Sequence, residues 1–304
     1  MRLAAISVDL DEIHNYFQIH GLAPPDGPAA RLVYDVAIDR LRAMAADARL
    51  PLTLFAIGRD LARAEAASAL RGAHDQGHEI ANHSLDHRYD LVRLDPAAMR
   101  DQIGLGADAI ERATGARPVG FRAPGYTISD EVFRALAELD VAYDSSVFPC
   151  PPYYAAKAAA LGAITVRGRT SRSILDTPRV LGAPTRPYRV GSPYWRRGRG
   201  VLELPVQVTR WLRLPFIGTM LTLAGPKRAR TLAQMCVGEP FVNLELHGID
   251  VLDESDGLEA LRPFQPDVRV PRDRKLAALH AAYGVLRDAG YTFVTLREAA
   301  AAFA

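Results

Sequence analysis

The chain has 304 residues, about half of them apolar and a quarter charged, enough for one large α/β domain or two small ones with a substantial core. A formal net charge of +2 makes no general case for nucleic-acid or membrane binding. Two cysteines, Cys150 and Cys236, lie far apart and outside any CxxC spacing, which argues against a disulfide framework and for a reducing compartment.

The first segment lacks the long apolar run of a signal peptide. Residues 3–8 read instead as a β-strand that ends on the acidic cluster Asp9-Leu10-Asp11-Glu12. Residues 12–28 follow as a loop rich in aromatic residues and histidine, expected to overhang the strand end; His14 and His20 lie in it. Helical patterns over 29–48, 59–76, 96–114, 130–139 and 272–289 then alternate with short apolar strands at 52–56, 79–81, 119–122, 142–143, 241–246 and 292–295. Such alternation predicts an α/β fold with a parallel sheet, open or closed into a barrel, whose chemistry gathers at the carboxyl ends of the strands.

Two stretches depart from the alternation. Residues 150–205 are rich in Pro, Gly and Arg with few clear helices, and read as an irregular, strand-bearing insertion in a single domain spanning 1–304. Between Arg167 and Arg199 there are nine arginines and a single acid, Asp176, which suits either a salt-bridged surface or a patch for a phosphate or carboxylate. Residues 211–225 form the longest apolar stretch, too short for a membrane span and interrupted by Arg213 and Pro215. The expectation is a soluble, cytoplasmic protein with no transmembrane segment, in which the apolar stretch leaves peripheral contact with a lipid-linked substrate open.

The strand ends carry the chemistry. Three acids in Asp9-Leu10-Asp11-Glu12 repel one another unless a cation or a basic partner neutralises them. His83-Ser84-Leu85-Asp86-His87 follows the strand at 79–81 where a new helix is expected, and histidines at i and i+4 on a helical turn reach one ion. Unlike the HExxH pattern, this pair has Ser84 where the base would stand, so the base comes from elsewhere, Asp9 or Asp11. Phe121-Arg122-Ala123-Pro124-Gly125-Tyr126, Tyr143-Asp144-Ser145-Ser146 and Leu244-Glu245-Leu246-His247-Gly248 end three further strands with an arginine, an acid and a histidine on the same rim.

In this order the five segments resemble the five motifs of the polysaccharide deacetylase family, carbohydrate esterase family four, also called the NodB-homology domain. The resemblance implies a distorted (β/α) barrel with fewer than eight units and a metal-dependent deacetylase. Asp11, His83 and His87 would hold a divalent metal, with zinc the default and cobalt, nickel, manganese or iron compatible with the same ligands. Asp9 would be the catalytic base, Arg122 its positioning partner, His247 the general acid and Asp144 the group that tunes His247. A backbone N–H near Gly125 or Tyr126 would stabilise the oxyanion, and His14 is a further candidate substrate contact. The Asp-x-Asp form of the first motif is similar to the branch containing certain peptidoglycan deacetylases and allantoinase-like amidases. The implied substrate is an N-acetylated sugar, a glycolipid or a precursor. The alternatives are a small linear or cyclic amide, or a silent carbohydrate-binding protein that kept the fold. Oligomeric state is not readable from the sequence.

Overall fold

The computed structural model describes residues 2–304. Strand β1 (Leu3–Asp9) is buried on both faces, as a central parallel strand must be. A short helix α1 (Ile13–Ile19), a 3-10 turn (Gly27–Arg31) and a π-helical turn (Val33–Ala37) lead into α2 (Ile38–Ala48). Then come β2 (Leu52–Ala56), α3 (Ala64–Asp75), β3 (Glu79–Asn82), α4 (Pro96–Thr114), β4 (Gly120–Phe121), α5 (Asp130–Glu138) and β5 (Tyr143–Asp144). Next are α6 (Pro151–Val166), β6 (Tyr188–Val190), β7 (Arg197–Glu203), α7 (Gly218–Gln234), β8 (Phe241–His247), α8 (Arg272–Asp288), β9 (Thr292–Phe293) and α9 (Leu296–Phe303). Local chemistry sets several boundaries. Asp95 caps α4 by accepting from the N–H groups of Ala97 and Ala98, Pro96 opens the helix, and Gly115 at φ +81° ends it. Thr295 and Glu298 cap α9 reciprocally.

The strands form one curled sheet in the order β6-β7-β5-β4-β3-β2-β1-β8, with β9 paired to the start of β1. All neighbours are parallel except the β6–β7 hairpin. Between β7 and β8 the ladder is interrupted, and residues 204–217 close the gap: Gln207 N donates to Asn243 O at 3.0 Å, and Ile217 bridges to Glu245 in parallel. This is the distorted barrel that the resemblance implies.

Alternation along β1 separates two cores. Ala4, Ile6 and Val8 face outward into the layer of α2, α3, α7 and α8. Leu3 and Ala5 face inward with Phe55, Ala81, Tyr143 and Leu202, and α9 plugs the amino end of the barrel through Leu296, Ala299 and Ala300. The carboxyl end is thereby the end left for a site.

The structure departs from the sequence expectations in three places. Residues 12–28 hold α1 rather than a plain loop, and the 150–205 insertion carries the 16-residue α6 beside the β6–β7 hairpin. The apolar stretch at 211–225 is divided between an exposed tip, with Trp211 81% and Leu212 64% accessible, and the first half of α7, which kinks where Gly225 (φ +77°) precedes Pro226. Among the described residues no helix is long and apolar enough to cross a membrane.

Candidate active site

The inward series of β1 continues from Leu3 and Ala5 to Ser7 and Asp9, and that of β8 runs Asn243, Glu245, His247. The barrel interior is therefore apolar at its plugged end and polar at the other. Arg122, fully buried just beyond β4, ties this polar layer together. Its Nη1 donates to Asp9 Oδ1 at 2.7 Å, Nη2 to Ser7 Oγ and Ser145 Oγ, and Nε to the Ser145 carbonyl. The guanidinium lies 4.1 Å from the centre of the Phe55 ring, so one of its faces is covered by an aromatic ring. Asn243 completes the layer, accepting from Ser7 Oγ and donating to Ser145 Oγ. One Asp9 oxygen is thus committed to Arg122 while Oδ2 faces the His83 side, 3.7 Å from Nε2.

Asp11, His83 and His87 converge beside it. Asp11 Oδ1 lies 3.3 Å from His83 Nε2 and 3.1 Å from His87 Nε2, all three residues are buried, and none of these three atoms has a hydrogen-bond partner. His83 Nδ1 sits 2.7 Å from the Arg122 carbonyl oxygen, which only accepts, so the proton belongs on Nδ1 and the Nε2 lone pair points into the cluster. Buried polar atoms left without partners are costly. Two imidazoles and a carboxylate aimed at one point are the donor set of a zinc-type cation, and the residues fit such an ion.

The pairing of the two histidines does not come from a helical turn, as their spacing suggested. Residues 83–88 form an irregular bend with Ser84 at φ +68° and His87 at φ +51°. The bend is stapled to α4: Leu85 N donates to Gln102 O and Asn82 Nδ2 to Ile103 O, while Asn82 Oδ1 accepts from Ser84 N and Ser84 Oγ from His87 N. Positive-φ backbone in non-glycine residues costs energy that a packed site sustains.

Asp9, Glu245 and His247 form a second convergent group. Its charges are already matched within the protein, Asp9 by Arg122 and Glu245 by His247, whose Nδ1 lies 2.8 Å from Glu245 Oε1. Burial alone would lower the His247 pKa, but the Glu245 carboxylate, with smaller help from Asp11 and Asp9, raises it well above the ordinary imidazole range. The expected partner, Asp144, lies elsewhere. Its oxygens accept from Ser146 Oγ and Ser146 N, and it faces Glu203 across the β5–β7 ladder. Ser146 Oγ in turn donates its proton to Asp144 and accepts from Ala123 N, so Asp144 fixes the turn that carries Ser145 and Arg122 rather than tuning His247. Glu245 was missed as a site residue although it stands two positions before His247, where strand alternation sends both side chains to one face.

A cavity of about 520 Å³ opens over Asp9, Asp11 and His247. Its walls are mostly apolar: Ile19 of α1, Pro152, Tyr153 and Ala156 of α6, Leu214, Pro215 and Ile217 of the closing segment, and Met220 and Leu223 of α7. Gly125 and Tyr126 line it, both at positive φ, with the Tyr126 ring edge-on to His247 at 6.4 Å. A side chain at Gly125 would meet the Tyr89 ring at 2.8 Å, so glycine is required there by space as well as by φ. His14 is half-buried on α1 and not among the lining residues; burial and then the nearby His87 lower its pKa. None of the nine arginines of the insertion lines the cavity. Several instead lie over aromatic rings, Arg169 on Phe264, Arg179 on Trp195 and Arg197 on Tyr188, or pair with Glu239 in the case of Arg186. Lys157 of α6, unremarked in the sequence, does line it.

The chain is similar to known proteins over part of its sequence, and in fold over nearly its whole length. The polysaccharide deacetylase family profile matches residues 26–143, which contain His83, His87 and Arg122. Over 73 residues the chain is 40% identical to the peptidoglycan deacetylase-like protein FGM2 of Gibberella zeae; this match spans 24% of the chain and only 21% of that relative. In fold, a polysaccharide deacetylase of Mycobacterium smegmatis superposes with a TM-score of 0.59 at 18% identity, over 99% of this chain and 89% of the other. A family 4 carbohydrate esterase from Streptomyces lividans in complex with acetate gives 0.50 at 14% identity over 96% and 91%. A CE4 family pseudoenzyme from Bacillus anthracis gives 0.51 at 13% identity over 98% and 65%. The resemblance to the polysaccharide deacetylase family therefore holds in sequence over 26–143 and in fold over nearly the whole chain.

Proposed function

We propose that the protein is a divalent-metal-dependent N-deacylase that removes an acetyl or other acyl group from the nitrogen of an amino sugar, free or carried on a lipid precursor. The observation that carries this reading is the set of three buried, partnerless donor atoms on Asp11, His83 and His87, flanked by a base already paired with Arg122 and a histidine already paired with Glu245.

Asp11, His83 and His87 would hold the cation, which supplies Lewis acidity toward an amide carbonyl and toward water. Arg122 fixes Asp9 in orientation through Oδ1, leaving Oδ2 free to take the proton of an attacking water. The charge of Glu245 keeps His247 protonated, and with Nδ1 turned to Glu245 its Nε2 is the atom that delivers a proton to the departing nitrogen. Gly125 and Tyr126 border the same cavity; the Tyr126 N–H is taken by the Ala123 carbonyl, so the Gly125 N–H is the one that would meet the developing oxyanion. Departure of an unprotonated amine is slow, so both proton transfers are needed for turnover.

The size of the cavity supports a single sugar-sized unit or a small amide over a polymer threaded through a groove. This keeps the small-amide hydrolase as the second reading, with the same residues in the same roles. The test is metal content and acetate release measured together on wild type and His83→Ala, across N-acetyl sugars, their lipid-linked forms and small cyclic amides. We expect stoichiometric metal in the wild type, its loss in the variant, and metal-dependent release from at least one sugar substrate. Metal without release of any acyl group would favour a silent carbohydrate-binding protein, and a folded wild type that takes up neither zinc nor cobalt would overturn the proposal.

A further inference from the structure

One charged group in the cavity has no part in the chemistry described above. Pro152, Tyr153, Ala156 and Lys157 form one face of α6 at i, i+1, i+4 and i+5 spacing, and that face is the cavity wall contributed by the insertion. Among the described residues Lys157 is the only lysine or arginine lining the cavity. Its Nζ donates to the Gly125 carbonyl at 2.9 Å, which leaves two of three N–H donors unengaged by the protein. The carboxylate that influences it electrostatically, Asp176, is occupied by Thr177 N and Tyr194 OH. The acidic and imidazole groups bordering this space are accounted for: Asp9 by Arg122, His247 by Glu245, and Asp11 by the metal cluster; the tyrosines there, Tyr16, Tyr89, Tyr126 and Tyr153, carry no charge. Lys157 is thus a cation on an apolar wall with donors to spare, and the loss of hydration there pulls its pKa down to about 8.

We propose that Lys157 determines specificity by receiving an anionic group, phosphate or carboxylate, that the substrate carries close to its N-acyl group. The inference rests on the deacylase reading for the identity of the substrate, and goes beyond it in naming the substituent. The cavity is about 10 Å across if taken as a sphere, so an anion on Lys157 and an amide at the metal cluster fit the ends of one substituted sugar ring. Lys157 also holds the Gly125 carbonyl, and Gly125 adjoins Tyr126, which packs against His247. Occupation of the anion site and alignment of the oxyanion segment are consequently mediated by the same ammonium.

The test compares kcat/KM for N-acetylglucosamine, N-acetylglucosamine 1-phosphate and N-acetylmuramic acid in wild type, Lys157→Met and Lys157→Arg. A charge-assisted contact of this kind should favour an anionic substrate over the neutral one by on the order of ten- to a hundredfold in the wild type. Lys157→Met should abolish that ratio, chiefly through KM, and Lys157→Arg should retain most of it. Preference for only one of the two anionic substrates supports the proposal and identifies the anion. Equal loss on neutral and anionic substrates in Lys157→Met would mark the lysine as structural and overturn it, as would a wild type without preference. Titration of the metal-free protein with N-acetylglucosamine 1-phosphate and with inorganic phosphate separates this from failure of the deacylase reading. Binding that Met removes and Arg preserves supports the anion site even if no sugar is deacetylated, and absence of binding to the wild type counts against it.

Discussion

Arg122 and Glu245 are the two buried groups on which the proposed proton chemistry would depend. Arg122 has every edge occupied and one face on Phe55, so removing it leaves Asp9 as an uncompensated buried carboxylate. Arg122→Met should cost on the order of 3–5 kcal/mol of stability in chemical denaturation. Asp9→Asn/Arg122→Met, which removes both charges, should recover part of that loss, and no recovery would show that the pair is not coupled. Glu245 acts on His247. The charge-raised pKa of His247 keeps the general acid protonated up to higher pH than an ordinary imidazole, so activity should persist into the alkaline range. Glu245→Gln removes the raising charge and leaves burial, which lowers the pKa. The alkaline limb of kcat should therefore move to lower pH, with metal content unchanged. An unshifted limb would mean that a different group supplies the proton. The sequence motif containing His247 also contains Glu245, yet Asp144 was expected to fill its role; only the distance of 2.8 Å distinguishes the two acids.

At the scale of elements, the metal cluster depends on how closely α4 approaches the 83–87 bend. A methyl group on Gly106 of α4 would meet Asn82 Oδ1 at 2.7 Å, the Ser84 carbonyl carbon at 2.8 Å and Leu85 N at 2.9 Å. Two of these atoms are backbone and the third belongs to the side chain that staples the bend, so little can yield. Gly106→Ala should lower thermal stability and weaken zinc affinity by about tenfold or more, because the displaced bend carries both histidines. A variant that loses stability but binds zinc as tightly as wild type would show the bend to be rigid on its own. The i, i+4 spacing of the histidines made the site visible in the sequence, but the helical explanation for it was wrong: Asn82, Ser84 and Gln102 make a bend that no periodicity announces. Helix α6 was missed for a related reason. Its apolar and small residues show no polar-apolar stripe, and the helix has no buried residue, because its inner face borders a cavity rather than a packed core.

The barrel as a whole was legible because parallel strands buried on both faces leave short apolar runs between helices, and two of them end on candidate site residues, β1 at Asp9 and β8 at His247. Its closure was not legible, since 204–217 joins β7 to β8 through isolated bonds rather than a ladder. Concentrating ionisable groups at one end has a consequence for the whole molecule. Burial, then Glu12 and Asp11, raise Asp60 to about 8, and burial raises Asp250 to about 7. His83 and His247 are raised by their carboxylate neighbours despite burial. All four groups hold protons in the folded state that the unfolded chain releases at lower pH, so stability falls as pH rises through their folded values. For Asp60 the decline begins above its unfolded value near 3.8 and is complete above about 8. The lowered carboxylates, Asp11 in the cluster and Asp86 and Asp256 nearer the surface, act in the opposite direction, but that effect is confined to the acid range and is complete below about pH 6. The metal-free protein should therefore melt at a lower temperature at pH 9 than at pH 6. Asp60→Asn removes a carboxylate whose Oδ2 has no partner. Its advantage over wild type should grow from pH 5 to pH 9, reaching on the order of a few kcal/mol. Melting curves on both proteins, with chelator present, decide the matter: parallel pH profiles would mean that Asp60 ionises without penalty, and the concentration of buried acids around Asp11 would then owe nothing to retained protons.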